Sequence, residues 1–584
     1  MTIVLLAAAL SMAPRTPEAD LAARRKALSD LLAEQWEYAL AHNPEMASVL
    51  GDKRWNDRLT DLSQAAVAAD LAKAKEFLAR FEAVDTTGFP EQEALNKTLM
   101  VRDLRQTLDD ARFRNWLMPV TQIGGAHLSF PQLLSSLSFD TVKDYEDYVA
   151  RLWQFPKTLD DTMTNMRDGM AAGLMPPRFL LEKVFAQAQG MTATTPEASP
   201  FARPLAQFPG SFAGRDRVRL RASGLAAIRQ AVFPGYARFA AFVRDEYAPR
   251  GRAEPGIWAL PDGAERYAAL VRLHTTTNLT PDQIHEIGLR QVAELETEMK
   301  AIAARLGFHD LKAFNAAIEK DPKLRPQSGE EILEIYRRYV DGMYPELPKL
   351  FGRLPRARVV IEPVESFRQA EAAAANYNQG TPDGSRPGRI QVNTGNPQSR
   401  KTITMESTAY HEGVPGHHLQ VSLGQELEGL PPFRQQAGYT AFVEGWALYT
   451  ERLGKEIGFY KDPYSDYGRL QDSMLRAIRL VVDTGLHHRR WSREQMVQFF
   501  HDHSAEDEVD LQSETDRYIA WPGQALAYKI GQLKIQELRE RSEKALGPRF
   551  DIRAFHDEVL GAGALPLDVL EARIDAWLAA QPTR

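Results

Sequence analysis

The sequence predicts a mainly α, two-lobed protein with a small β-sheet beside a cleft, on three observations. From Leu21 to about Arg250, apolar residues recur at intervals of three and four, as in "DLAARRKALSDLLAEQWEYALAHNP" and "AVAADLAKAKEFLARFEAV", which is helical periodicity. A Pro- and Gly-rich passage from Tyr247 to Gly263, "YAPRGRAEPGIWALPDG", interrupts the helices and marks the boundary between residues 21–250 and 251–584. In "DGSRPGRIQVNTGNP" the turn pairs Asp383-Gly384 and Pro387-Gly388 precede a run in which Ile390, Val392 and Thr394 alternate with Gln391 and Asn393, the clearest strand signal in the chain.

The first residues, "MTIVLLAAALSMAP", run apolar from Ile3 to Leu10 and then offer Ser11-Met12-Ala13, a small-x-small pattern suited to signal peptidase. Residues 1–20 are therefore read as a signal peptide or N-terminal extension. This places the protein in the periplasm or outside the cell, or in the cytoplasm if the segment is not cleaved. No other stretch approaches the roughly 18 apolar residues of a membrane span, so no integral membrane segment is expected. Beyond the lobe boundary, Thr280 with Pro281 and Gln283 starts a long helix through a capping box, and Ser492 with Gln495 repeats the device. His285, inside the first of these helices, reads as a packing or surface histidine.

Composition narrows the chemistry. The 584 residues are 44% hydrophobic and 26% charged, as in globular proteins, and the net charge of -7 is unlike that of a nucleic-acid binder. No cysteine is present, which excludes disulfides, thiolate ligands and a cysteine nucleophile. Any metal must be held by His, Asp or Glu.

Such a set is in view in "STAYHEGVPGHHLQV", Ser407 to Val421. His411 and Glu412 stand side by side as ligand and general base do in zinc hydrolases, but Pro415 occupies the i+4 position where the short H-E-x-x-H signature has its second histidine. Proline removes an N–H and clashes with the carbonyl four residues back, so the helix must open there. A straight helix would carry His418 about 10 Å along its axis, too far to share an ion. The bulge offered by Pro415-Gly416 is needed to swing His417, or alternatively His418, back toward His411. Glu444, set among Phe442, Val443, Trp446, Ala447 and Leu448, is an acid in apolar surroundings that needs a partner, and is the candidate third ligand. Glu451, seven residues on and roughly on the same face, is either an outer support of the site or a surface ion-pair member.

At this point the chain resembles a known family, the bacterial group catalogued as domain of unknown function 885, which is similar to the gluzincin (HExxH-like) zinc metallopeptidases. The resemblance rests on "HEGVPGHH", "VEGWALYTERLG" from Val443, "RLVVDTGLH" from Arg479 and "RYIAWPGQALAYKIG" from Arg517, with "DGSRPG", "LHTTTNLTPDQIHEIGL" and "NPEMASVLGDKRWNDRL" in support, and spans nearly the whole chain. It implies a helical metallopeptidase-like fold and a Zn2+ cofactor. It also implies His411, His417 and Glu444 as ligands, Glu412 as base, and short peptides as substrates. The longer gap between the histidines departs from those peptidases; His417 is favoured over His418 because it follows glycine as theirs does.

Further roles are assigned to the downstream motifs. Arg479, Asp483 and His487 recur every four residues and share a helical face. Asp483 could orient a ligand imidazole and His487 could stabilise the transition state, or Arg479 and Asp483 could form a surface salt bridge. Tyr518 or Tyr528 is the candidate donor to the oxyanion, and Arg517 or Lys529 the candidate receiver of a peptide carboxylate. The strand upstream of the histidines, with Asn393, is expected at the edge of the sheet, pairing with substrate backbone. The function expected is a zinc-dependent peptidase. Its alternatives are a hydrolase of another amide or an ester using the same metal, and a non-catalytic exported binding protein.

Overall fold

In a computed structural model that describes residues 17–364, 369, 372–381 and 386–581, the chain is mostly helical, with one three-stranded sheet among the described residues. The apolar run from Ile3 to Leu10 and the Asp383-Gly384 turn lie outside those residues.

Helices Pro17–His42, Gln64–Glu82 and Glu91–Ala111 close over a core of Leu28, Leu31, Phe77, Phe81, Met100 and Leu104. A second core is aromatic. The 30-residue helix Val142–Ala171, started by a Thr141–Asp144 capping box, contributes Tyr148 and Phe155, which meet Phe130, Phe201 and Tyr236. Fully burying such a ring is worth roughly 1.5–3 kcal/mol.

The histidine region is built from seven helices: α1 (Pro281–Arg305), α2 (Met405–Glu412), α3 (His417–Glu426), α4 (Thr440–Glu456), α5 (Pro463–His487), α6 (Glu508–Ala520) and α7 (Leu526–Leu546). Both expected capping boxes form, at Thr280 with Gln283 and at Ser492 with Gln495. His285 is a packing residue on α1, its Nδ1 2.8 Å from Thr484 Oγ1 on α5. Helices α4 and α7 touch backbone to backbone: a Cβ on Gly531 would lie 1.8 Å from Ala441 O, and one on Gly445 2.5 Å from Gly531 Cα. That approach presses the Glu444 turn of α4 against the helix that carries Tyr528. Among the described residues, no helix is long and apolar enough to cross a membrane.

The sheet holds β1 (Val360–Pro363), β2 (Ala375–Asn378) and β3 (Arg389–Val392) in the order β1-β3-β2, with β1 parallel and β2 antiparallel to β3. The predicted strand is β3, and it is central rather than at the edge. β1 and β2 take both of its hydrogen-bonding edges, and its Ile390 and Val392 are fully buried on one face. The outer strand facing the histidine helix is β2. Asn393 N donates to Ala374 O, so by alternation Ala375 and Tyr377 turn their backbone groups outward from the sheet.

Candidate metal centre

The helix does open at the proline. α2 ends at Glu412, the Val414–Pro415 peptide is cis, and α3 begins at His417. Gly416 N donates to Tyr410 O at 3.0 Å and His418 N to Gly413 O at 3.1 Å, so the turn satisfies its own backbone. Only glycine fits at 416, where a Cβ would stand 2.0 Å from His411 O and 2.3 Å from Tyr410 O. Buried Trp446 donates from Nε1 to Pro415 O at 3.0 Å, tying the turn to α4 two residues beyond Glu444.

This turn brings the His411 and His417 rings to 4.8 Å, perpendicular to each other. Glu444 Oε2 lies 3.6 Å from His411 Nε2 and 3.5 Å from His417 Nε2. Ligand atoms about 2.0–2.2 Å from one ion at tetrahedral angles stand roughly 3.3–3.6 Å apart, so these separations suit a shared ion. Among the described residues this is the one group of three such donors that converge.

Glu451 stands behind His411. Its Oε1 is 2.7 Å from His411 Nδ1, and it is buried with its second oxygen unpartnered. The Nδ1 hydrogen donated to Glu451 leaves the Nε2 lone pair aimed at the gap beside Glu444. Burial disfavours a charged His411 ring, whereas the Glu444 and Glu451 carboxylates on either side of it favour one. A donor set of two imidazoles and a carboxylate, with one imidazole already oriented, fits a zinc-type divalent ion.

Glu412, next to His411, lines a cleft of about 890 Å³ together with Thr408, Ala375 and Arg476. Its Oε2 accepts the Tyr377 N–H of β2 at 2.8 Å. Tyr528 belongs to the same neighbourhood: burial and the Glu444 carboxylate raise its pKa, and the Arg479 guanidinium lies over its ring at 4.8 Å.

The remaining predicted residues are engaged in other ways. His418 turns away from the centre, with Nε2 3.0 Å from Ala357 O and Nδ1 3.3 Å from Tyr377 Oη, and burial lowers its pKa to about 4. His417 therefore completes the trio. His487 is not at the site: its Nδ1 accepts Ile257 N–H at 3.0 Å and its Nε2 donates to Tyr518 O at 3.0 Å. Asp483 orients no ligand, because it is engaged by Tyr267 Oη at 2.6 Å and by Gly523 N. Arg479 pairs with Glu514 at 2.9 Å rather than with Asp483.

Glu514 gathers other candidates too. Tyr518 Oη donates to it while accepting from Arg479 Nε, and Arg517 pairs with it at 2.9 Å. Asn393 lines the cleft, but its Nδ2 is spent on Gln369 O and Ala372 O, which fold the loop leading into β2. Lys529 is buried in a different cavity, bonded to Ser473 Oγ.

Sequence reasoning missed three parts of the cleft. Strand β2 reads only "ANYN", too short and polar to announce itself. Asp472 and Arg476 pair at i,i+4 at 3.2 Å in the two turns of α5 before Arg479.

The family described as "Bacterial protein of unknown function (DUF885)" matches residues 44–574. A solved structure from Colwellia psychrerythraea, described as a candidate lipoprotein, is 28% identical with a TM-score of 0.90, and the match covers 96% of this chain and 100% of that one. One from Shewanella oneidensis, described as a candidate lipoprotein of unknown function, is 17% identical with a TM-score of 0.75, and the match covers 93% and 99%. The latter is a likeness of fold alone. No curated protein matches the sequence.

Proposed function

The chain belongs to the bacterial DUF885 family, which brings no activity with it, and from the geometry of the histidine turn we propose that it is a zinc-dependent hydrolase of peptide bonds. The observation that carries this reading is the convergence of His411, His417 and Glu444, with Glu451 behind the first ligand and Glu412 beside it on the wall of the cleft.

A zinc ion held by that trio would supply Lewis acidity, polarising a carbonyl oxygen and acidifying water. The chain does the rest. Glu412, its carboxylate fixed by the Tyr377 N–H, accepts the proton of the attacking water and passes it to the leaving amine. Tyr528 has its pKa raised by burial and by Glu444, keeps its proton, and donates it as a hydrogen bond to the carbonyl oxygen as charge develops there.

Strand β2 favours a peptide over another amide or an ester. Ala375 lines the cleft and turns its backbone groups outward, so an extended peptide can add to the sheet as a further strand. An exported location is part of the proposal, supported by the apolar N-terminal segment and by the Colwellia neighbour described as a candidate lipoprotein.

The test is turnover of short peptides, N-acyl amides and esters by the full chain, before and after chelation and zinc restoration. Peptide cleavage that follows the metal supports the reading. Metal-dependent turnover of the amides or esters with no peptide cleavage overturns it.

A further inference from the structure

A second cavity, of about 470 Å³, lies between α1, α4, α5 and α7, and the chemistry above makes no use of it. Most of the buried or flanking charge on its wall is compensated. Lys455 and Arg469 both pair with Asp466, at 2.7 and 2.8 Å, and Arg452 pairs with Glu456 at 3.4 Å.

Lys529 is the exception. It is 3% exposed, its one hydrogen bond is to Ser473 Oγ at 2.9 Å, and no carboxylate among the described residues pairs with it. A buried cation without a counter-ion is costly, and a lysine in this position resolves the cost by shedding its proton or by taking up an anion. Burial, opposed by Glu451 and reinforced by Arg452, Arg469 and Arg476, lowers its pKa to about 7, so both states lie within reach near neutrality.

The wall also says which anion. Glu294, Glu298 and Arg305 also line the cavity but are exposed. Of its buried charges, Lys529 alone has no ion-pair partner among the described residues, and Asp466, Glu456, Glu294 and Glu298 would repel a dianion such as phosphate more than a monoanion. Leu295, Ile302, Leu470 and Leu533 offer apolar surface for an organic body, and the volume is within the range of small-ligand sites. We propose that this cavity binds a small organic monocarboxylate whose carboxylate pairs with the Lys529 ammonium.

The probe is sodium butyrate, with sodium phosphate and sodium chloride at matched ionic strength. Butyrate is expected to raise the melting temperature of the wild-type chain saturably and to leave Lys529→Met unmoved. In the wild type, acetic anhydride labelling of Lys529, read by peptide mass spectrometry, is expected to fall about tenfold with butyrate at ten times its Kd. The labelling needs no variant and decides the matter if Lys529→Met fails to fold. Unprotected labelling, or stabilisation that survives in folded Lys529→Met, overturns the site. An equal effect of phosphate or chloride overturns the assignment to a carboxylate.

Discussion

Glu451 Oε1 stands 2.7 Å from His411 Nδ1, and both side chains are buried. Two turns of α4 separate Glu451 from Glu444, so one helix presents both the carboxylate that faces His411 Nε2 and the one that holds Nδ1. Glu451→Gln is expected to weaken zinc binding by about 10–100-fold, the usual effect of losing such an outer partner. Competition against a chromogenic chelator measures it, and an unchanged affinity would remove Glu451 from the site.

Glu412 holds no ligand position, so Glu412→Gln is expected to keep its metal while activity falls by about 10²–10⁴. Metal content and turnover measured on one preparation separate the two effects. Loss of the metal would mean that Glu412 is a ligand instead.

Gly416 has no space for a side chain, whereas Gly424, about two turns further along in α3, has nothing within 4 Å of its position. Gly416→Ala should destabilise the chain by more than about 2 kcal/mol and abolish metal binding. Gly424→Ala should stabilise it by up to about 1 kcal/mol and leave the metal untouched. Urea unfolding with metal analysis checks the pair.

His487 makes a prediction about pH. Burial lowers its pKa to about 3, and the Ile257 N–H aimed at Nδ1 requires the neutral ring. In the unfolded chain the ring titrates near 6.5. The unfolded state therefore binds a proton that the folded state refuses, and the stability present above about pH 6.5 is lost as pH falls toward 3. Between pH 7.5 and 5.0 this amounts to about 2 kcal/mol at 1.4 kcal/mol per unit below 6.5. The stability deficit of His487→Gln against wild type should shrink by that amount over the same range; parallel unfolding curves would contradict it.

The helices and the trio were largely legible because their signals are local. Capping residues at Thr280 and Ser492, a proline at the i+4 position and an acid in an apolar helix each constrain structure within a few residues. Partners across the fold were not legible. Arg479, Asp483 and His487 share a helical face, but their spacing does not reveal that Glu514, Tyr267 and Ile257 N meet them first. Lys529 follows Tyr528 directly in sequence, yet α7 turns Lys529 into the second cavity while Tyr528 feels the Glu444 carboxylate. β3 was readable from its alternation, but its place between β1 and β2 depends on segments with little strand signal of their own.

The most direct test of the metal centre is zinc content by elemental mass spectrometry on wild type, His417→Ala and His418→Ala purified in parallel. About one zinc per chain is expected in the wild type, with retention in His418→Ala and a content near zero in His417→Ala. A metal-free wild type, or zinc kept by His417→Ala and lost from a folded His418→Ala, would contradict it.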